Sequence, residues 1–211
     1  AARKAEHATE AGIVIVKAGD NAVGAVEVAC ETDFVARTDK FKTFVHRLAD
    51  QLLADKNLTD TAKLLAAEFA GTPGKTVAAA VQELVAQLGE NMTIRQAARY
   101  AATPASRVLG YIHSGELAGT YGPYEGRIGI LVELTWEPAA QINLAVIDRL
   151  AHDVALHLAA ATPQELVAED WLQQPFIKDE RLSVAELLQQ RGQEFGTTIT
   201  IKRCTRLEVG A

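Results

Sequence analysis

The chain is poor in several things at once. Its 211 residues include two cysteines, one methionine, six prolines and few aromatics, 6% in all. Cys30 and Cys204 lie far apart, each inside a strand-like run. They offer neither a disulfide framework nor metal-ligand spacing, which points to a reducing compartment: the cytoplasm, or an organelle matrix or stroma. Basic excess is missing too. The formal charge is −6, which excludes the basic face of a phosphate-driven nucleic-acid binder and suits a soluble protein that meets another protein. No apolar run approaches the roughly 20 residues of a membrane span, and no signal peptide is visible. The first residues, helix-prone and without Met, predict a helix or linker over residues 1–11 and a missing segment upstream.

The usual seats of chemistry are also wanting. Gly71-Thr72-Pro73-Gly74-Lys75-Thr76 resembles a phosphate loop, but the motif needs glycine where Phe69 stands and a strand where the pattern is helical. A helix start is the better reading. His152 and His157 are five apart, not the i, i+4 spacing of a helical zinc pair. No Ser or Cys sits in a nucleophile elbow. Glu27 and Glu133 fall mid-strand and are expected to face solvent or pair across a sheet. The sequence therefore gives no catalytic residue, no metal ligand and no cofactor site, and argues against an enzyme.

What is present is a repeated pattern. Residues 12–17 and 23–30 read as two strands around the turn Ala18-Gly19-Asp20-Asn21, rich in residues that tolerate positive φ. Phe41, Val45, Leu48 and Leu52 then recur at spacings of four, three and four, an amphipathic helix. Helices are expected over residues 61–69 and 75–88, the latter closed by Gly89, and a strand from Met92 toward Tyr100. The order then starts again: a strand over residues 107–113, a long Gly- and Tyr-bearing loop over 114–126, a strand over 127–135, and a helix with Ile147, Leu150, Val154 and Leu158 on one face. Capping boxes at Thr162-Pro163-Gln164-Glu165 and Ser183-Val184-Ala185-Glu186 mark two more helix starts, with Gly192 closing the second, and residues 197–209 read as a last strand. Local likeness accompanies the order. Val26-Glu27-Val28 matches Val132-Glu133-Leu134, and Arg47-Leu48-Ala49 matches Arg149-Leu150-Ala151. The offset falls from 106 to 102, which puts four extra residues between strand and helix in the first copy. The expected fold is α+β, two hairpin-plus-helix subdomains arising by duplication, with antiparallel sheets packed against helices. Their bounds are residues 12–103 and 104–172, with 173–211 as a closing segment that completes the sheet.

Those extra residues coincide with the most telling stretch, Cys30-Glu31-Thr32-Asp33-Phe34-Val35-Ala36. An apolar strand ends and a helix begins within it. Thr32 suits an N-cap, and Asp33 puts a carboxylate in the first turn, where the helix dipole favours it. Phe34 at the tip either wedges into another protein or turns inward as part of an ordinary capped corner. The second copy has Trp136-Glu137-Pro138 at this junction.

Residues 26–37, Val-Glu-Val-Ala-Cys-Glu-Thr-Asp-Phe-Val-Ala-Arg, closely resemble the signature of the elongation factor Ts family. Residues 87–95 (Gln-Leu-Gly-Glu-Asn-Met-Thr-Ile-Arg) resemble its second segment, and residues 108–115 with 127–133 its second hairpin. Residues 174–179 and 206–210 resemble its closing blocks. These stand in the family's order over nearly the whole chain. The resemblance implies a guanine-nucleotide exchange factor that works on the GTPase elongation factor Tu, without a cofactor of its own and without direct contact to nucleic acid or membrane. It implies that Thr32, Asp33, Phe34 and Val35 enter the partner's nucleotide domain and disturb the groups holding Mg²⁺, that Leu88 and Gly89 lie near its phosphate loop, and that His113 faces another of its domains. Helix burial remains an alternative for Leu88, and a turn-side histidine without a task for His113. Three departures stand out. The family's opening helical module is absent, residues 161–174 leave no room for the long helical hairpin many members insert, and residues 118–125 exceed the family's second turn. An exchange-inactive binding or scaffold module of the same fold is the alternative function.

Overall fold

In β1 (Ala11–Ala18), Ile13 and Ile15 point to one face and Val14 and Val16 to the other, and both faces are buried. That double burial dictates the architecture. The computed structural model describes residues 8–114, 121–161 and 171–211. β2 (Ala22–Cys30) returns antiparallel through a turn in which the Gly19 N–H donates to the Ala22 carbonyl at 2.8 Å. β3 (Met92–Ala101) adds to β2, and the short β5 (Glu125–Gly126) adds to β1, giving the order β3-β2-β1-β5. A second antiparallel sheet is built from β4 (Ser106–His113), β6 (Ile128–Thr135) and β9 (Thr200–Glu208), in the order β4-β6-β9. Pro175–Phe176 (β7) and Asp179–Ser183 (β8) make a small separate hairpin.

The two sheets stack face to face. Val14, Val16, Val23 and Ala25 of the first meet Val108, Leu131 and Leu207 of the second. Gly110 and Gly129 make the approach close: a Cβ on either would stand 2.6 Å and 2.5 Å from Val16 and Val14 methyl carbons. Helices cover the outer faces. α2 (Asp39–Ala54) lays Phe41, Val45, Leu48 and Leu52 on Ile13, Ile15, Val26 and Val28, alongside α3 (Thr61–Ala66) and α4 (Val77–Leu88). Fully burying a side chain such as Phe41 contributes about 2–3 kcal/mol. α5 (Leu144–Ala160) and α6 (Val184–Glu194) cover Ile130, Val132 and Leu134 on the other side. The fold is α+β, antiparallel sheets packed against helices, as the sequence predicts.

Caps explain most boundaries. Thr38, Thr76 and Ser183 start their helices, the last with a complete capping box, and Gly89 ends α4 in the left-handed region at φ +81°. The phosphate-loop look-alike is a turn with positive φ at Gly71 and Gly74 that delivers Thr76 to cap α4. Several expectations need correction. Of the helix or linker expected over residues 1–11, residues 8–10 take no helix and Ala11 already opens β1. α3 ends at Ala66, short of Phe69, whose N–H is taken by the Lys75 carbonyl. Gly192 does not close α6 but lies inside it, where a Cβ would stand 2.5 Å from the Thr197 carbonyl; Gly196, at φ +61°, makes the turn. The connections from β2 to α2 and from β6 to α5 cover residues 31–38 and 136–143, so neither is longer. Most of the first copy's extra residues instead lie at the start of α2, which begins eight residues before Arg47 while α5 begins five before Arg149. The capping box at residues 162–165 lies outside the described residues, as do residues 1–7 and 115–120.

Glu27 is the further surprise, for it faces neither solvent nor a cross-strand cation. It is buried on the face of β2 turned toward the second sheet, opposite Val14. Burial above all pushes its carboxyl up to about 7, although the Arg95 charge pulls the other way, and its Oε1 finds no hydrogen-bond partner among the described residues. Glu133 does pair across its sheet: Arg203 Nε donates to Oε2 at 2.6 Å and Lys202 Nζ to Oε1 at 3.1 Å.

Candidate functional site

The corner between β2 and α2 is built by a cap and a clamp. Thr32 is extended (φ −130°, ψ 149°), and its hydroxyl accepts from the Val35 N–H at 3.3 Å, which starts the single-turn α1 (Asp33–Ala36). The same hydroxyl donates to Glu90 Oε1 at 2.7 Å, while the Thr32 N–H donates to Glu90 Oε2 at 3.1 Å. In return the Asn91 N–H donates to Glu31 Oε1 at 2.7 Å. Two carboxylates thus cross between the corner and the turn that follows α4. Cys30 adds a third tie, its Sγ donating to the Thr32 carbonyl at 3.3 Å. Burial, reinforced by the Glu90 charge, pushes that thiol up to about 12, so it stays protonated and unreactive.

On this frame the five residues from Thr32 to Ala36 divide by helical geometry. Val35 and Ala36 face inward and belong to the core under α2. Thr32, Asp33 and Phe34 face solvent, and Phe34 is 81% exposed, the most exposed large apolar side chain among the described residues. An aromatic ring held out in water by a capped turn gains nothing where it stands. A ring so placed is free to fill a pocket on another surface. Asp33 beside it gives that ring an anionic neighbour.

The other sequence-derived positions separate. Gly89 is exposed and Leu88 half-buried against the α2–α4 core, and both lie beside Glu90, so the structure brings them to the Thr32 corner. His113 sits elsewhere, at the end of β4, exposed, with its Nδ1 3.3 Å from the Tyr111 hydroxyl. Tyr111 in turn meets His152 edge-on at 5.4 Å. Sequence reasoning passed over Glu90. Its place directly after a helix-ending glycine, where the chain reverses, is the signal that could have marked it.

A second network ties the neighbouring loop down. Glu125 is buried and accepts from Lys42 Nζ at 2.6 Å and from the Gly122 N–H at 2.9 Å, with His46 Nε2 2.9 Å away. Burial pushes its carboxyl up, but the Gly122 N–H, Lys42 and His46 together bring it below its ordinary value. Among the described residues no group of His, Cys, Asp or Glu is arranged to hold a metal ion, and no helix is long and apolar enough to cross a membrane.

The fold and the corner together define an α+β protein of two stacked antiparallel sheets that presents one exposed aromatic turn. Comparison with known proteins narrows the class. The elongation factor Ts family model matches residues 31–173, and the chain belongs to that family. Elongation factor Ts of Trichlorobacter lovleyi is 41% identical over 172 residues, covering 81% of this chain and 51% of that protein. The Clostridium perfringens and Bdellovibrio bacteriovorus proteins of the same name are 30% and 28% identical over all of this chain and 78% of their own length. This chain therefore spans about half the length of the first of these relatives. The alignments to the latter two run to 255 and 254 positions, so those relatives carry residues within the matched region that this chain lacks.

Proposed function

We propose that the chain is a guanine-nucleotide exchange factor in translation elongation, acting on elongation factor Tu in the cytoplasm or an organelle matrix. In this reading Thr32–Val35 docks on the GDP-bound GTPase, with Phe34 as the inserted ring and Asp33 beside it, and Val35 as the inward buttress. Insertion disturbs the groups that hold the partner's Mg²⁺. That ion neutralises phosphate charge, so its displacement weakens the grip on GDP. Gly89 lets the partner's backbone come close, Leu88 supports that turn from the core, and His113 makes a separate contact.

The reading rests above all on the 81% exposure of Phe34 at the tip of a capped turn. The energetics are those of linkage. The factor must bind the empty GTPase more tightly than the GDP-bound one, and GDP must weaken the factor's binding by the same ratio. No bond is made or broken by this chain, so it is not an enzyme.

The experiment is release of fluorescent GDP from elongation factor Tu at substoichiometric amounts of this protein. Catalytic acceleration is expected. A wedge aromatic is worth about 2 kcal/mol, so Phe34→Ala is expected to lower exchange efficiency at least about tenfold with no loss of thermal stability. Binding without acceleration would identify an exchange-inactive scaffold, and absence of binding would sink both readings.

A further inference from the structure

We propose that Glu90 is the positioning residue for the Phe34 corner, and that the corner and the turn after α4 work as one rigid device. The inference deepens the exchange reading and rests on it for its functional half. Its starting point is the size of α1, four residues. One turn of helix does not sustain itself in water, because nucleation fixes several residues for a single hydrogen bond. Val35 and Ala36 anchor its inner side in the core, but Thr32, Asp33 and Phe34 are all exposed, so the outer side needs a hold from elsewhere.

Glu90 supplies that support from 58 residues away. Its two oxygens take the two donors of Thr32, the N–H at 3.1 Å and the hydroxyl at 2.7 Å. The second bond decides the cap. A hydroxyl has one proton and two lone pairs. With the proton committed to Glu90, a lone pair is left facing the Val35 N–H, 3.3 Å away. Remove the carboxylate and the hydroxyl rotor is free to turn, so the cap is satisfied only part of the time. The Ala36 N–H to Thr32 carbonyl bond at 3.2 Å and the Arg37 N–H to Asp33 carbonyl bond at 3.2 Å then lose their anchor.

The aim of Glu90 is itself fixed. Gly89 leaves α4 at φ +81°, a conformation L side chains rarely adopt, and turns the chain so that Glu90 points at the corner. The bond from the Asn91 N–H to Glu31 closes the ring from the other side. Glu90 need not touch any partner to matter. It decides where Phe34 points before the partner arrives, so that docking does not have to order the turn.

Two measurements test this. The first needs no partner: amide hydrogen exchange of Val35, Ala36 and Arg37 in the isolated protein. Glu90→Ala is expected to raise their exchange rates at least about tenfold while amides inside α2 stay as they are, and Glu90→Gln, which keeps the shape and an acceptor oxygen, is expected to recover part of the protection. Unchanged rates at those three amides would overturn the clamp whatever the protein does to a GTPase. The second is a double-mutant cycle on GDP release. Glu90→Ala alone is expected to lower exchange efficiency by about tenfold, and to lower it little further in a Phe34→Ala background. Additive losses would mean that Glu90 acts independently of the ring, and would overturn the positioning role. If the wild-type chain accelerates no release at all, the exchange reading fails while the amide measurement still decides the clamp.

Discussion

The two halves of the molecule repeat one plan and depart from it at matched places. Each has a hairpin, a covering helix, and a third strand added to the hairpin's second strand: β3 beside β2, β9 beside β6. Each third strand bulges opposite a mid-strand glutamate, at Glu27 in the first half and Glu133 in the second. This shared plan supports the duplication read from the sequence. In the second half the bulge supplies Lys202 and Arg203 to Glu133. In the first, the bulged residue is Arg95, and its guanidinium goes elsewhere, donating to the Thr9 carbonyl at 2.8 Å and reaching toward the Ala211 carbonyl. Glu27 is left without an ion pair among the described residues, with the Glu208 N–H as its donor. The strand-to-helix junctions differ in the same spirit. Trp136 turns into the core of the second half, and Phe34 stands out from the first. A common frame thus yields an ordinary joint on one side and a presented aromatic on the other, with the difference lodged in a few side chains.

Substitutions at these matched places can break or sharpen that contrast. The largest effect is expected from Trp136→Ala, which empties a core position and should cost about 3 kcal/mol in chemical denaturation, whereas Phe34→Ala should leave the midpoint in place. Equal losses would erase the distinction between the two junctions. Next comes Glu133→Ala. It strands two half-exposed cations and should cost roughly 2 kcal/mol at pH 7. Burial pushes the Glu133 carboxyl up, but Arg203, Lys202 and Ser106 hold it below its ordinary value. Its contribution is therefore present at neutral pH and lost as pH falls through its folded value.

Glu27 should give an effect of the opposite sign. Its folded value, raised from 4.5 to about 7, means that the folded state holds a proton the unfolded chain has given up. Stability should fall as pH rises between those values and level off above. Glu27→Gln should abolish that slope in thermal melts taken from pH 5 to 8. A slope that survives the substitution would show that the two glutamates are not the opposed pair described here.

Much of this was legible in the sequence because it is local. The hairpin turn at Gly19, the caps at Thr32 and Ser183, the αL stop at Gly89 and the apolar stripe of α2 all depend on residues within a few positions of one another. What escaped depends on distance along the chain. Glu27 reads as a solvent-facing position only if one face of its sheet is free, and nothing near residue 27 announces a second sheet stacked there. The apolar character of β1 on both faces was the available sign. Glu90 and Thr32 meet across 58 residues, and no spacing rule links them. Gly192 carries a helix-ending signature, yet it serves close approach, which only the path of residues 197–199 explains. At the corner, local rules gave the cap but left the direction of Phe34 open, because inward and outward placements satisfy the same hydrogen bonds.

The pairing of Glu125–Gly126 with β1 has one more consequence. A β-sheet edge is an invitation to aggregate, since its free amides and carbonyls will accept any passing strand. Here the chain closes that invitation with its own second half: Gly126 and Glu125 lie along Val14 and Ile15, the Val16 N–H donates to the Tyr124 carbonyl, and Glu125 is bolted to α2 through Lys42. Neither half is a module that could be lifted out intact. A gene fragment ending near residue 103 would encode a sheet with one raw flank, and would be a poor candidate for expression alone.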